Sequence, residues 1–231
     1  MEVVYEDNHI IVVNKHSGEI VQGDKTGDTP LSEMVKAYIK QKYQKPGDVF
    51  LGVVHRLDRP VSGLVVFART SKALARLNKM FAEKEGIHKT YWAIVERRGD
   101  KSELLNDASP VMLTHWLTRN EAQNKAYAHN REVPGSKKAE LICRMLSHGD
   151  NYDLVEVELL TGRHHQIRCQ LSAIGCPIRG DLKYGARRSN TDGSISLLAR
   201  RIEFTHPVSK QLIRLEAPLP DYFTKFSSLS S

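Results

Sequence analysis

The chain has 231 residues, a 40% apolar fraction and a formal net charge of +7. That length accommodates one domain, or two tightly fused halves, with a substantial core. No apolar run reaches the length that spans a bilayer. The acidic start Met1-Glu2-Val3-Val4-Tyr5-Glu6-Asp7 lacks the basic opening and apolar centre of a secretory signal, so a cytoplasmic protein is expected.

Val3 to Tyr5 and Ile10 to Asn14 read as short strands around a turn at Glu6-Asp7-Asn8, and Gly18 and Gly23 mark a loop. Thr29-Pro30 opens a helix, with Thr29 as its cap and Pro30 at the first helical position. Leu31, Val35, Tyr38 and Ile39 form one apolar stripe through about Tyr43, and Pro46-Gly47 closes the segment. Phe50 to Val54 and Leu64 to Phe67 are strand-like and flank a charged run, His55-Arg56-Leu57-Asp58-Arg59. Pro60 and Gly63 fit poorly inside a ladder, so this run is expected to be a loop between two buried strands. Rigidly held loops are where catalytic groups are commonly presented. Arg56 and Arg59 stand on either side of Asp58, with His55 close by. Cations at that spacing favour a carboxylate, which suits a nucleophile or base rather than a proton donor. The plainer reading of the same residues is a solvated turn with a surface ion pair.

Ser71 is read as the cap of a second helix, with Leu74, Leu77 and Phe81 on one face and Gly86 as its stop. His88 to Val95 is a strand by its β-branched and aromatic content. Glu96 to Ser109 is polar and turn-rich, a loop. Val111 to Leu117, Lys138 to Met145 and Tyr152 to Leu160 read as strands, joined in part by a polar connection from Asn120 to Ser136. In the last of them Val155, Val157 and Leu159 alternate with Glu156 and Glu158, which suits an antiparallel sheet with one wetted face. Thr161 to Arg168 opens a helix that turns Ile167, Leu171 and Ile174 inward and ends at Gly175; Gly180 to Gly185 follows as a loop. Ser196 to Phe204 and Leu212 to Glu216 are the finishing strands. Pro218 to Pro220 closes the domain, and the serine-rich tail from about residue 221 is expected to fray.

Cys143, Cys169 and Cys176 are an odd count without a close pair, which argues against a disulfide framework and against a Cys-x-x-Cys zinc site. No metal is expected. Charge is unevenly spread. Between Thr161 and Arg201 lie eight cations (Arg163, Arg168, Arg179, Lys183, Arg187, Arg188, Arg200 and Arg201) against Asp181 and Asp192, so +6 of the net +7 sits there. Such a segment is either a solvated face or a phosphate-binding surface.

Three stretches resemble the motifs of the RluA-type pseudouridine synthases, in that family's order. They are His55-Arg56-Leu57-Asp58 with Ser62-Gly63-Leu64, then Lys89-Thr90-Tyr91-Trp92-Ala93, then Thr161-Gly162-Arg163-His164-His165-Gln166-Ile167-Arg168 with Gly180-Asp181-Leu182-Lys183-Tyr184-Gly185. Thr205-His206-Pro207 is also similar to the family's C-terminal pattern, and the resemblance covers roughly residues 3 to 220. Pro60-Val61 departs from the polar pair usual there, which bears on loop shape more than on chemistry. The chain is identified as a member of this family.

The resemblance implies an α+β pseudouridine synthase fold: a mixed, largely antiparallel central sheet flanked by helices and loops, with the active-site cleft across it. It implies one catalytic domain over residues 1–231, without the small helical RNA-binding domain often found ahead of it. The reaction breaks the uracil N1–ribose C1′ bond, turns the base and rejoins it through C5. It requires no cofactor, and none is expected. Asp58 would be the essential acid, adding to C6, attacking C1′, or stabilising positive charge on the ribose. Arg168 would be its guanidinium partner. Tyr91 would lie beside the flipped uracil as a stacking or proton-transfer group. Arg56 would fill the space the base vacates, and Arg163, His165 and Gln166 would line the RNA-binding cleft. The expected partner is structured RNA, ribosomal or transfer, met by a monomer with no membrane involved. Rival readings are a non-catalytic RNA-binding protein of the same fold and a nucleoside or RNA glycosidase. Intact Asp58, Tyr91 and Arg168 argue against the first, and the lack of a paired carboxylate near Asp58 against the second.

Overall fold

A computed structural model describes residues 1–24, 26–97 and 109–227. The chain divides into two compact units: Met1–Lys89 with Ala199–Pro218, and Thr90–Leu198 with the residues from Leu219 onward.

In the first unit, β1 (Glu2–Glu6) pairs antiparallel with β2 (Ile10–Lys15), and β2 with β4 (Ser62–Ala68). Every residue of β2 and of β4 is buried, the continuous apolar pattern of strands covered on both faces. The expected strand over Phe50 to Val54 is shorter than its sequence suggests. Only β3 (Gly52–Val53) pairs, with Ala68 and Phe67 of β4, and Phe50 is exposed. A Cβ at Gly52 would lie 2.7 Å from Leu74, so the glycine admits the helix that packs there. β10 (Leu197–Thr205) pairs with β11 (Leu212–Glu216).

Two helix starts differ from the sequence reading. α1 (Leu31–Lys42) has Pro30, not Thr29, at its cap, with no side-chain cap bond. Its first amides, Leu31 and Ser32, donate instead to the carbonyls of Ile20 and Val21, which removes the need for a capping side chain. α2 (Ser71–Glu83) is capped by Thr70, whose hydroxyl accepts from the Ala73 amide, and it ends on the left-handed Lys84 ahead of Gly86.

In the second unit the strand order is β5 (Ile87–Glu96, from Thr90 onward), β9 (Tyr152–Leu159), β8 (Lys137–His148), β6 (Val111–Asn120) and β7 (Lys125–His129), with antiparallel pairing throughout. β7 corrects the reading of Asn120 to Ser136 as mere connection. Lys-Ala-Tyr-Ala-His is short and half polar, yet it pairs with β6 across the turn at Asn124, whose φ is +47°. Ala126 belongs to an apolar cluster with Leu117, Ala139, Cys169 and Tyr184. α3 (Gln166–Ala173) contacts β6, β7 and the 3-10 turn Leu182–Tyr184, which stands where a loop was expected. Residues 221–227 form α4 (Asp221–Ser227) rather than a frayed tail, because Phe223 is fully buried and packs 6.4 Å from the Trp92 ring. Most of the expected 96–109 loop, and residues 228–231, lie outside the described residues. Among the described residues no helix is long and apolar enough to cross a membrane.

Candidate active-site groups

In the first unit, the loop between β3 and β4 carries Asp58, half buried, and Arg56, exposed. The Val61 amide donates to the Asp58 carbonyl at 3.0 Å, so Asp58 opens a tight turn. That turn is held from beneath. Lys15, the last residue of β2, is 0% exposed, and its ammonium donates to the carbonyls of Arg59 (3.0 Å), Val61 (2.6 Å) and His16 (3.0 Å). The Gly18 amide donates to the Arg59 carbonyl at 2.9 Å, and the Ser17 hydroxyl to that of Pro60 at 3.2 Å. Burial pushes the Lys15 pKa down to about 8 despite the opposing pull of Glu19 and Asp58. Lys15 thus sets a buried positive charge within the electrostatic reach of Asp58.

Two neighbours of Asp58 do other work. The Arg59 guanidinium turns to Asp28 (2.6 Å) and the Thr26 hydroxyl (2.8 Å), so the flanking cation read beside Asp58 is spent on those two residues. His55 accepts the Val66 amide at Nε2 (3.0 Å) and stacks on Phe81 with centroids 4.9 Å apart. Burial pushes its pKa down to about 3, so it is a neutral brace between loop and strand. The glycine of the Ser62-Gly63-Leu64 motif has φ +115°, and a Cβ there would meet the Ala199 carbonyl oxygen at 2.4 Å. Only glycine permits both that conformation and that approach.

The second unit carries Tyr91 and Arg168. Tyr91 lies on β5 opposite Val157 and is 8% exposed. Arg168 lies in α3 with its tip clamped: Nε donates to Asp181 Oδ2 at 2.7 Å and Nη2 to Oδ1 at 2.8 Å. Both partners are buried, a bidentate pair that fixes the plane of the guanidinium. The Tyr184 ring supports it from 5.0 Å. Tyr184 is itself anchored: its hydroxyl accepts the Ala126 amide at 2.8 Å and bonds His165 Nδ1 at 2.9 Å, while its carbonyl accepts from Ser172.

The structure turns two residues read as cleft lining inward. Gln166 is buried, its Oε1 accepting from the Thr161 hydroxyl (2.7 Å) and the Arg163 amide (2.9 Å), its Nε2 donating to the Glu140 carbonyl (3.0 Å). His165 is buried in the left-handed conformation and stacked on His164 at 3.8 Å. Burial, then the charges of Arg168, His164, Lys183 and Arg119, push its pKa down to about 2, so it is neutral. These two shape the loop that enters α3. Arg163 is exposed, with Nε on the Lys138 carbonyl. The basic segment is also divided by the fold. Arg200 and Arg201 pair with Glu216 in the first unit, and Arg168 is neutralised by Asp181. Of the segment's charge, Arg163, Lys183, Arg187 and Arg188 remain exposed on the second unit.

Sequence reasoning missed Lys15 and gave Asp181 no role. Lys15 ends an apolar strand, where a lysine ordinarily marks the exit to solvent. Asp181 did leave a signal, as one of two acids among eight cations.

Residues 9–173 match the family model described as RNA pseudouridylate synthase. An uncharacterized RNA pseudouridine synthase of Bacillus subtilis is 32% identical over 225 residues, covering 95% of this chain and 69% of the relative. The ribosomal large subunit pseudouridine synthase C of Vibrio cholerae is 32% identical over 223 residues, covering 94% of this chain and 65% of the relative. Among solved structures, human RNA pseudouridylate synthase domain containing 4 superposes with a TM-score of 0.74 at 22% identity, over 96% of this chain and 90% of that one, a likeness of fold. The chain therefore belongs to the RNA pseudouridylate synthase family, with the α+β fold of that family. It spans about two thirds of the length of the curated relatives it matches.

Proposed function

We propose that this chain isomerises specific uridines of a structured RNA to pseudouridine, with Asp58 as the reacting carboxylate. The observation that carries the reading is the family match over residues 9–173, which contains all three motifs up to Arg168. The geometry adds that Asp58 heads a turn whose backbone is held by the buried Lys15 ammonium and by Ser17 and Gly18. In this reading the uridine leaves its stack and Arg56, exposed on the same loop, occupies the vacated space. Tyr91 lies beside the base. Arg168, carried over from the third motif, is the cationic group of the reaction, its fork set by Asp181. The C1′–N1 bond breaks, C1′ bonds to C5, and the C5 proton is lost as N1 gains one, so no redox partner is needed. A relative that acts on the large ribosomal subunit supports ribosomal RNA as the first substrate to test, with transfer RNA as the other. The enzyme acts as a monomer in the cytoplasm.

The test is tritium release from RNA labelled at uridine C5. Asp58→Asn is expected to lose at least about a thousandfold in turnover while still binding RNA. Full activity in that variant would overturn the assignment, and RNA binding by the wild type without turnover would favour the non-catalytic reading.

A further inference from the structure

The second unit carries a pocket to which the proposed chemistry assigns no role, although residues 182–185 of the third motif line part of it. It has a volume of about 410 Å³ and opens between edge strand β7, α3 and the 182–184 turn. Its lining includes Lys125, Tyr127, Lys183 and Tyr184 and, among the described residues, contains no acidic one. The floor is apolar, formed by Ala126 and Cys169 of the buried cluster, and the rim is open. Tyr127 is 40% exposed and Leu182 is 57% exposed. The Lys125 ammonium stands between two rings, 5.5 Å from the Tyr127 centroid and 5.3 Å from that of Tyr184. Lys183 donates to the carbonyls of Gln123 and Asn124, at 3.3 and 3.1 Å, which ties the 3-10 turn to the hairpin turn and fixes that ammonium at the mouth. Arg119 lies across the hairpin, in register with Ala126.

An exposed aromatic face beside two positioned ammonium groups, over an acid-free apolar floor, is the composition of a single-stranded nucleic-acid contact. The base stacks on the ring and the backbone meets the cations. A small anion would leave the aromatic face unused, and duplex RNA offers no unstacked base to receive. We infer that this pocket is a second RNA subsite, taking one unpaired nucleotide of the substrate strand on Tyr127 with its phosphate on Lys125 and Lys183. This rests on the RNA-modifying reading above.

The test compares a fluorescein-labelled single-stranded RNA of mixed sequence with its blunt duplex, by anisotropy across a salt series. Tyr127→Ala is expected to weaken single-strand binding about tenfold or more and leave duplex binding alone, while Tyr127→Phe matches the wild type. Lys125→Ala with Lys183→Ala should lower the slope of log affinity against log salt by roughly 0.7, one phosphate on a single strand. In C5-tritium release from transcripts, both changes should raise KM and spare kcat. Equal losses on both RNAs, or an unchanged single-strand affinity and salt slope, would overturn the subsite. A wild-type chain that binds neither RNA would bring down the functional reading as well. A wild type that binds and isomerises alongside unaffected variants would sink the subsite alone.

Discussion

The two units hold their principal groups by opposite means. Around Asp58 it is the main chain that is gripped. Lys15, Ser17 and Gly18 together occupy the carbonyls of Arg59, Pro60 and Val61, and the Val61 amide closes back on Asp58. Around Arg168 it is the side chain, held at its tip by two bonds to Asp181 and supported by Tyr184. The difference follows from side-chain length. An aspartate carboxylate sits one methylene from its backbone, so fixing the backbone nearly fixes the acid. A guanidinium ends a stem of three methylenes with about 2 kcal/mol of rotamer freedom, and only contacts at the fork can aim it.

Among changes to the groups that hold these two residues, the largest expected effect is at the Arg168 clamp. Asp181→Asn leaves a buried guanidinium facing a neutral amide, a loss of about 3–5 kcal/mol by the usual cost of breaking a buried pair. Turnover should fall by ~100-fold, the scale of a misplaced catalytic group, and Asp181→Glu should recover part of it. Urea unfolding and tritium release measure the two effects. Wild-type stability in Asp181→Asn would mean that something other than this ion pair holds the arginine.

Lys15→Met separates stability from activity. Removing the ammonium leaves the buried Val61 carbonyl without that donor, at about 1–3 kcal/mol. It also relieves a burial that depresses the lysine from 10.5 to about 8, worth roughly 3 kcal/mol. The terms nearly cancel, so stability should move by less than about 2 kcal/mol while the unclamped turn loses ~10-fold or more in turnover. A pH series sharpens the point. Because the folded pKa lies below the unfolded one, the unfolded chain binds the extra proton between pH 8 and 10.5. The lysine's contribution to stability therefore rises across that window and is flat below it. In the second unit the sign reverses. Cys169 and Cys176 are raised by burial from 9.0 to about 11, so the unfolded chain loses those protons first and stability falls from pH 9 to 11. Subtracting the Lys15→Met profile from the wild type isolates the lysine. A flat difference from pH 8 to 10 would contradict its buried charge.

Much of both units was legible because their residues speak locally. The alternation of Val155, Val157 and Leu159, the apolar runs of β2 and β4, and the breakers Pro60 and Gly63 each report a backbone preference. What the sequence withheld depends on distant chain. The Pro30 start is stabilised by carbonyls at 20 and 21, β7 by the side chains of Tyr184 and Cys169, and α4 by Trp92. The site divides the same way. Motif order singled out Asp58, Tyr91 and Arg168 as candidates. The fold had to reveal that Arg59 turns away to Asp28, that Gln166 is consumed internally, and that a strand-end lysine lies beneath the loop.

The smallest effect asks which part of the second unit's clamp aims the arginine. Tyr184→Phe keeps the ring 5.0 Å from the Arg168 guanidinium but removes the oxygen that accepts the Ala126 amide and bonds His165. The Ala126 amide lies on edge strand β7 in a buried cluster, so leaving it unpaired should cost about 1–2 kcal/mol, read as a lower urea midpoint. Turnover should change less than about threefold, since the two bonds to Asp181 still set the plane of the fork and the cation–π support of roughly 1–2 kcal/mol survives. If Tyr184→Phe instead slows the reaction as far as Asp181→Asn does, the hydroxyl network through Ala126 and His165 would be what positions α3. Arg168 would then be aimed through the backbone, as Asp58 is, and the contrast between the two units would disappear.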